Sequence, residues 1–278
     1  MHFVCCIKQV PDTAQVRIDP ETNTLIRAGV ESISNPYDVV ALEEAVRLKE
    51  RYGGRVTAIT MGPPQAETSM REALSLGADD TVLLSDRSFA GADTLATSFT
   101  LSQAVKALSR DLPVDLVLCG KQAIDGDTAQ TGPGIATRLG FTQLTYVVEV
   151  EWIDEATRQI QVRRRVEGGI EVIRGPLPAV LTVELELARP RRASLPLMVH
   201  SLRAPVKVWD AKAIDAPPQS VGIKGSPTWV RAISSPPVRE GGPRLEAGTS
   251  PKEAVEKALD ILLADEAFAS GLRQKWEG

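Results

Sequence analysis

The sequence predicts an α/β protein built on a doubly wound, mostly parallel sheet, with antiparallel edge strands and an extended C-terminal arm. Three observations carry this. Short apolar runs at 2–7, 55–61, 81–84 and 114–119 alternate with stretches of helical periodicity. From Thr145 the pattern changes to period two, the mark of half-buried strands. From Ala188 to about Gly248 the composition turns to Pro, Arg, Ser and Gly, which a packed domain seldom contains at such length. With 278 residues, 43% of them hydrophobic and 24% charged, the chain can bury a sizeable core.

Residues 2–7 form a first buried strand that runs into a charged loop, Lys8-Gln-Val-Pro-Asp12. Alternation on either side of Pro20-Glu-Thr-Asn23 predicts a hairpin. Ser34-Asn35-Pro36 opens the first helix, with Asn35 as cap and Pro36 at the first helical position; the stripe Val39, Leu42, Val46 follows, and Gly53-Gly54 ends it. Strand 55–61, the turn Gly62-Pro-Pro-Gln65 and a helix over 66–76 come next, then strand 81–84. A loop containing Gly91-Ala-Asp-Thr94 starts a helix that runs to about Leu108. After strand 114–119, the stretch 120–136 leads into a helix carrying Ile135, Ala136 and Leu139. Within it Gly126 is free to take positive φ, and Asp127 or Thr128 can cap the helix.

Right-handed crossovers place the loops 8–13, 61–65, 85–94 and 120–132 on one rim, in a flavodoxin-like strand order. Ligands of such sheets bind there, and the N-terminus of a helix at 131 suits a phosphate or pyrophosphate. An ordinary capped loop needs the same residue types, so composition alone leaves both readings open.

Strands at 146–152, 159–163, 170–173 and 179–183, with a turn at Glu167-Gly168-Gly169, extend the sheet with antiparallel edges. Arg163-Arg164-Arg165 reads as a solvated edge more readily than as an anion clamp. The nucleotide-type domain is expected over 1–187 and the arm over 188–278. In the arm, Leu195, Leu197, Met198, Val199, Val206, Val208 and Trp209 call for another chain to cover them. A terminal helix over about 251–268 begins with the capping box Ser250-Pro-Lys-Glu253 and carries Val255, Leu259, Leu262 and Leu263 on one face.

Several function classes drop out. A net charge of −4 and a pI of about 5.4 give no basic surface for nucleic acid. No run reaches the roughly 18 apolar residues of a membrane span. Cys5, Cys6 and Cys119 lie in apolar runs and His2 and His200 stand far apart, so neither a disulfide framework nor a metal site is predicted. Met1 runs straight into a strand without a presequence, and the expected location is cytoplasmic. Neither Gly-x-x-x-x-Gly-Lys-Ser/Thr nor Gly-x-Gly-x-x-Gly occurs, which removes the common nucleotide hydrolases and dinucleotide folds.

Taken together, Cys6-Ile-Lys-Gln-Val-Pro-Asp12, Ser34-Asn-Pro-Tyr-Asp38, Met61-Gly-Pro-Pro-Gln65, Gly77-Ala-Asp79, Gly120-Lys-Gln-Ala-Ile-Asp125, Val166-Glu-Gly-Gly-Ile-Glu171, Leu177-Pro-Ala-Val-Leu-Thr-Val183 and Arg189-Pro-Arg191 resemble the β subunit of the electron-transfer flavoproteins. The resemblance covers roughly residues 1–210. It implies an adenine-nucleotide-binding subunit of a heterodimer whose α subunit carries the redox FAD. In housekeeping members the β nucleotide is AMP; in flavin-bifurcating members it is a second FAD that takes electrons from NADH. The loop Asp125-Gly-Asp-Thr-Ala-Gln-Thr-Gly132, followed by Pro133, resembles the bifurcating group, as does the run 86–97; Thr131 departs from the valine more usual there.

Carried over by position, the nucleotide would meet Cys6, Asn35, Met61, Asp127, Ala129, Gln130 and Thr131, with Asp93 and Thr94 added for FAD; Gly126 and Thr128 belong to the same phosphate loop. The expected cofactor is FAD, with AMP as the alternative. The expected partners are the α subunit and a dehydrogenase or a quinone- or ferredoxin-side acceptor, with no catalytic acid or base supplied by this chain. Leu195 is either the apolar anchor of a dehydrogenase-docking segment or a contact within the heterodimer. A non-redox nucleotide-binding module fits the loop locally but leaves the proline-rich arm unexplained.

Overall fold

The first strand sets up the layers. In β1 (His2–Cys6) successive side chains point to opposite faces, so Phe3 and Cys5 enter one core while Val4 and Cys6 enter the other. All five residues are buried because helices cover both faces. The computed structural model describes residues 1–12, 17–18, 25–26, 31–229 and 250–276, and contacts divide the chain into two units, Met1–Ile233 and Ser234–Gly278.

In the first unit, β2 (Gln9–Pro11) pairs antiparallel with β5 (Ser32–Ser34), and between them β3 (Arg17–Ile18) pairs antiparallel with β4 (Leu25–Ile26). The second pair is the expected hairpin; its turn lies outside the described residues. The first pair was not legible in the sequence, and it returns Asn35 to Lys8, whose carbonyl accepts from the Asn35 N–H at 2.8 Å. Then follow α1 (Pro36–Tyr52), β6 (Arg55–Met61), α2 (Glu67–Leu76), β7 (Asp80–Leu84), α3 (Thr94–Asp111), β8 (Leu116–Gly120) and α4 (Thr131–Leu139). Helices α1 and α2 pack on the Phe3 face, α3 and α4 on the Val4 face.

The period-two region gives β9 (Thr142–Asp154), β10 (Gln159–Val166) and β11 (Gly169–Pro176), an antiparallel extension. The next strand, β12 (Ala179–Val183), is not an antiparallel edge. It lies parallel to both β8 and β9 and is buried along its length, as an unbroken Ala-Val-Leu-Thr-Val run allows. Arg163, Arg164 and Arg165 are each paired, with Glu149, Glu171 and Glu186, which leaves an ordinary charged edge.

The chain then forms α5 (Leu195–Arg203) and β13 (Lys207–Trp209), which adds parallel to β7. The complete order is β11-β10-β9-β12-β8-β1-β6-β7-β13. The fold class is the one expected, a mostly parallel α/β sheet with antiparallel edge strands. Its seven strands in parallel pairing, however, run 7-3-2-1-4-6-5 in order of appearance rather than in the flavodoxin-like 2-1-3-4-5. Buried apolar strands look alike in sequence, so nothing local distinguishes the two orders.

The boundary expected at 187 is displaced to 233. Leu187, Ala188, Ile214, Ala216 and Val221 are buried, and β13 fills an edge, so the first stretch of the expected arm belongs to the core. Val206 and Trp209 pack against that core, while Leu195, Met198, Val199 and Val208 stay exposed. Pro236-Pro237 and Gly241-Gly242-Pro243 lie outside the described residues. In the second unit the expected helix is two, α6 (Pro251–Ala264) and α7 (Glu266–Trp276). The break falls at Asp265, whose carboxylate accepts from the Ala267 and Phe268 amides at 2.9 and 3.1 Å. Ser250 makes no side-chain cap bond, and Val255, Leu259, Leu262 and Leu263 are exposed. No described helix is long and apolar enough to cross a membrane.

Candidate functional site

Strand order reverses between β1 and β8, and a crevice opens beyond their carboxyl ends, where open α/β sheets bind ligands. A cavity of about 520 Å³ occupies it. Of the residues singled out from sequence, Cys6, Asn35, Met61, Asp93, Thr94, Gly126, Asp127, Thr128, Ala129 and Thr131 line this one cavity; Gln130 does not, and Leu195 lies apart on α5, 73% exposed.

The residue that fastens the cavity floor is one the sequence did not single out. Asp38, in the first turn of α1, reaches across the switch point: its Oδ2 accepts from the Lys8 N–H at 2.8 Å and its Oδ1 from the Gly120 N–H at 2.9 Å. It thereby ties the ends of β1 and β8 together. Burial pushes its carboxyl up to about 6, against the opposing pull of the Lys8, Asn35 and Gly120 donors. An acid in a first helical turn reads as a dipole partner, and only the fold reveals its reach.

Asn35 stands at the N-cap position, but its side chain does not cap α1. It turns to loop 120–131 instead, where Nδ2 donates to the Gln122 carbonyl at 2.8 Å and Oδ1 accepts from the Ile124 N–H at 3.3 Å. Above it Lys8 Nζ grips Asp125 at 2.6 Å, and Gln122 Nε2 donates to Asp127 Oδ1 at 2.9 Å. The loop is thus held by the residues that precede α1 and follow β1 rather than by its own cap.

Two expectations for this loop are corrected. Positive φ falls on Asp127 (50°) and Ala129 (53°) rather than on Gly126, where an added Cβ would meet nothing within 4 Å. Helix α4 starts at Thr131 with Gln130 in the cap position and no side-chain cap, because Asp127 is engaged by Gln122. Its first turn therefore presents backbone donors without a side-chain acceptor. Gly132 and Gly134 let this turn sit close against Thr182 and Ser98. The second helix start is different: Asp93 caps α3, its Oδ1 accepting from the Ala96 N–H at 3.0 Å. Thr94 Oγ1 and Thr128 Oγ1 stand 3.4 Å apart and join the two turns.

On the neighbouring rim, Lys121 bonds Glu184 at 3.0 Å and lies over the rings of Tyr37 and Tyr146 at 5.4 and 5.9 Å. Burial, the largest single influence, lowers the Lys121 pKa, but the Glu184 bond and charge together with Tyr37 and Tyr146 outweigh it and the net shift is upward. Tyr146 holds φ 58°, beside the register shift between β12 and β9. Cys6 and Cys119 face one another in register; the bond with Cys6, and then burial, push the Cys119 thiol well up, so it is poorly nucleophilic.

The family described as "Electron transfer flavoprotein domain" matches residues 22–214. The chain is 49% identical over 263 residues to Protein FixA of Azotobacter vinelandii, covering 93% of each chain. It is 47% identical over 264 residues to Protein FixA of Bradyrhizobium diazoefficiens, covering 93% of this chain and 91% of the relative. It is also 50% identical over 242 residues to the electron transfer flavoprotein subunit beta of Clostridium acetobutylicum, covering 87% of this chain and 91% of the relative. The chain belongs to the electron transfer flavoprotein family, as a β-type member with a role in electron transfer.

Proposed function

We propose that this chain is the β subunit of a heterodimeric electron transfer flavoprotein and holds an FAD in the cavity between β1 and β8. In this reading a bound FAD would supply NADH oxidation and the division of electrons between the α-subunit FAD and a second acceptor on the quinone or ferredoxin side. One observation carries the reading. Two helix starts, at Thr94 and Thr131, converge on a single cavity, and Thr94 stands 3.4 Å from Thr128 of the adjoining loop, an arrangement suited to a pyrophosphate.

The residues present fit such a group. The uncapped first turn of α4 supplies donors to one phosphate, and Ala129 adds little bulk beside it. Cys6, Met61 and Leu101 give the cavity an apolar wall. The flavin supplies the hydride and electron chemistry when bound. The work of this chain is to hold and orient it: Asp38 fixes the gap between the two loops, Asn35 and Lys8 fix the phosphate loop, and Thr94 and Thr128 join the two turns. The exposed Leu195, Met198 and Leu202 of α5 form the apolar surface offered to a redox partner, and the exposed face of α6 is offered to the α subunit.

A second reading has its own support. Because Asp93 already caps α3, α4 is the less encumbered of the two helix starts, and a single phosphate on α4 matches AMP held structurally. Purified heterodimer should be denatured and its released cofactors counted. Two FAD and no AMP is the expected result; one FAD with one AMP returns the chain to the simple electron carriers.

A further inference from the structure

Loop 85–94 is grasped along its length by residues 209–228. At one end the Ser85 N–H donates to the Trp209 carbonyl at 3.0 Å, and the Ala211 N–H donates to Asp86 Oδ2 at 3.0 Å. In the middle Gly222, at φ +55°, lies so close to the Ser88 carbonyl that a Cβ would overlap it, and Gly91 meets Ile223 in the same way. At the far end Asp93 Oδ2 accepts from Thr228 Oγ1 at 2.7 Å and from the Thr228 N–H at 3.2 Å. The Asp93 N–H in turn donates to Ser226 Oγ at 2.8 Å, and that hydroxyl donates to the Gly222 carbonyl at 2.7 Å.

An aspartate at the start of α3 presents a difficulty for the function proposed above. Its carboxylate takes up helix donors and repels any phosphate brought to the same turn. The structure answers this with Thr228. One Asp93 oxygen serves the helix and the other serves Thr228, so the charge is met on both sides within the chain. Burial works against the carboxylate, yet the Ala96 and Thr228 donors hold its pKa below the ordinary range.

We propose that residues 209–228 act as a clasp for the nucleotide site, with Ser226 and Thr228 as positioning residues that hold Asp93 and loop 85–94 in the arrangement nucleotide binding requires. This rests on the reading that the first turn of α3 meets the nucleotide phosphates. Neither Ser226 nor Thr228 lines the cavity, so their action is through Asp93 and the loop alone.

The test uses the complex of this chain with its α-type partner. Thr228→Val keeps the size and removes the hydroxyl, Ser226→Ala removes the acceptor, and Thr228→Ser restores a hydroxyl at 228. Thr228→Val and Ser226→Ala should each raise the FAD dissociation constant of the deflavinated complex about five- to tenfold, the order of one exposed hydrogen bond to a charged group. Amide exchange should rise over 86–96 and stay unchanged over 120–131, and Thr228→Ser should return both to wild-type values. Affinity within twofold of wild type in both variants overturns the clasp, and so does failure of Thr228→Ser to recover. A wild-type complex that carries AMP at this site sinks the FAD reading by itself. The clasp is then judged by the same ratio measured with AMP.

Discussion

Two turns lead from strand to helix at the mouth of the cavity, and they differ in how the helix start is capped. Loop 85–94, though also clasped by residues 209–228, caps itself: Asp86 accepts from the Ser88 amide, and Asp93 caps α3. Loop 120–131 has no cap and is held from outside by Asp38, Asn35 and Lys8. The first spends a helix-start donor on an internal carboxylate; the second has no side-chain cap. Both strained non-glycine residues of the two loops, Asp127 and Ala129, lie in the second. A turn whose order comes from its neighbours can keep an open helix start, while a self-capped turn needs its charge answered elsewhere.

The contrast can be broken most severely at Gly120. A Cβ there would overlap the Asp38 carboxylate and meet Tyr37, so Gly120→Ala should lose about 4 kcal/mol by overpacking and by loss of the buried bond, and should release nucleotide. Urea unfolding with cofactor assay checks it, and an unchanged midpoint would contradict the role given to Asp38.

Asp38 offers a test by pH. Its carboxyl is raised from 3.8 to about 6 in the folded state, so the native chain binds this proton more tightly than the unfolded chain. Stability from this group is therefore gained as pH falls through about 6 toward 3.8 and lost as pH rises through that window. Wild type should gain on the order of 2–3 kcal/mol relative to Asp38→Asn between pH 7 and pH 4. Parallel pH profiles for the two chains would remove Asp38 as the titrating group.

Asn35→Ala leaves the Gln122 carbonyl and the Ile124 amide without their partner and should cost about 2 kcal/mol, with raised amide exchange confined to loop 120–131. Exchange rising equally in 85–94 would erase the distinction between the loops. The smallest effect is a gain. Ala129 sits at φ 53°, so Ala129→Gly should raise stability by roughly 0.5–1 kcal/mol, read as a higher melting temperature. Gly126→Ala, at an open position without positive φ, should leave the melting temperature unchanged.

The fold was legible where burial writes itself into composition. Strands β1, β6 and β8 are near-continuous apolar runs, and the shift to period two at Thr145 marked the antiparallel extension. That four loops meet at one rim was legible because parallel strands bring their carboxyl ends together, while the individual cavity residues came from the family resemblance, carried over by position. What stayed hidden depends on contacts distant in sequence. Asp38 bonds a residue 82 positions away, and Asn35 looks like a cap while bonding residues 87 and 89 positions away. Positive φ at Asp127 and Ala129 is imposed by the loop's attachments and runs against the local preference for Gly126. The strand Lys207–Trp209, three residues in a proline-rich stretch, has no periodicity to betray it; β7 supplies the edge that makes it a strand.

The placement of β12 bears on how the molecule is made. Residues 179–183 pair with residues 116–120, and the Val183 carbonyl also receives the Lys121 N–H at 2.9 Å. While the chain is being synthesised, the open side of β8 has no neighbour until residue 183 has left the ribosome, although the helices around it are already complete. For about sixty residues of translation, at about 5–20 residues per second, that flank is an unpaired apolar edge of the kind that recruits strangers. The nascent chain therefore passes through several seconds in which this apolar edge stands open, and synthesis of β12 ends that interval.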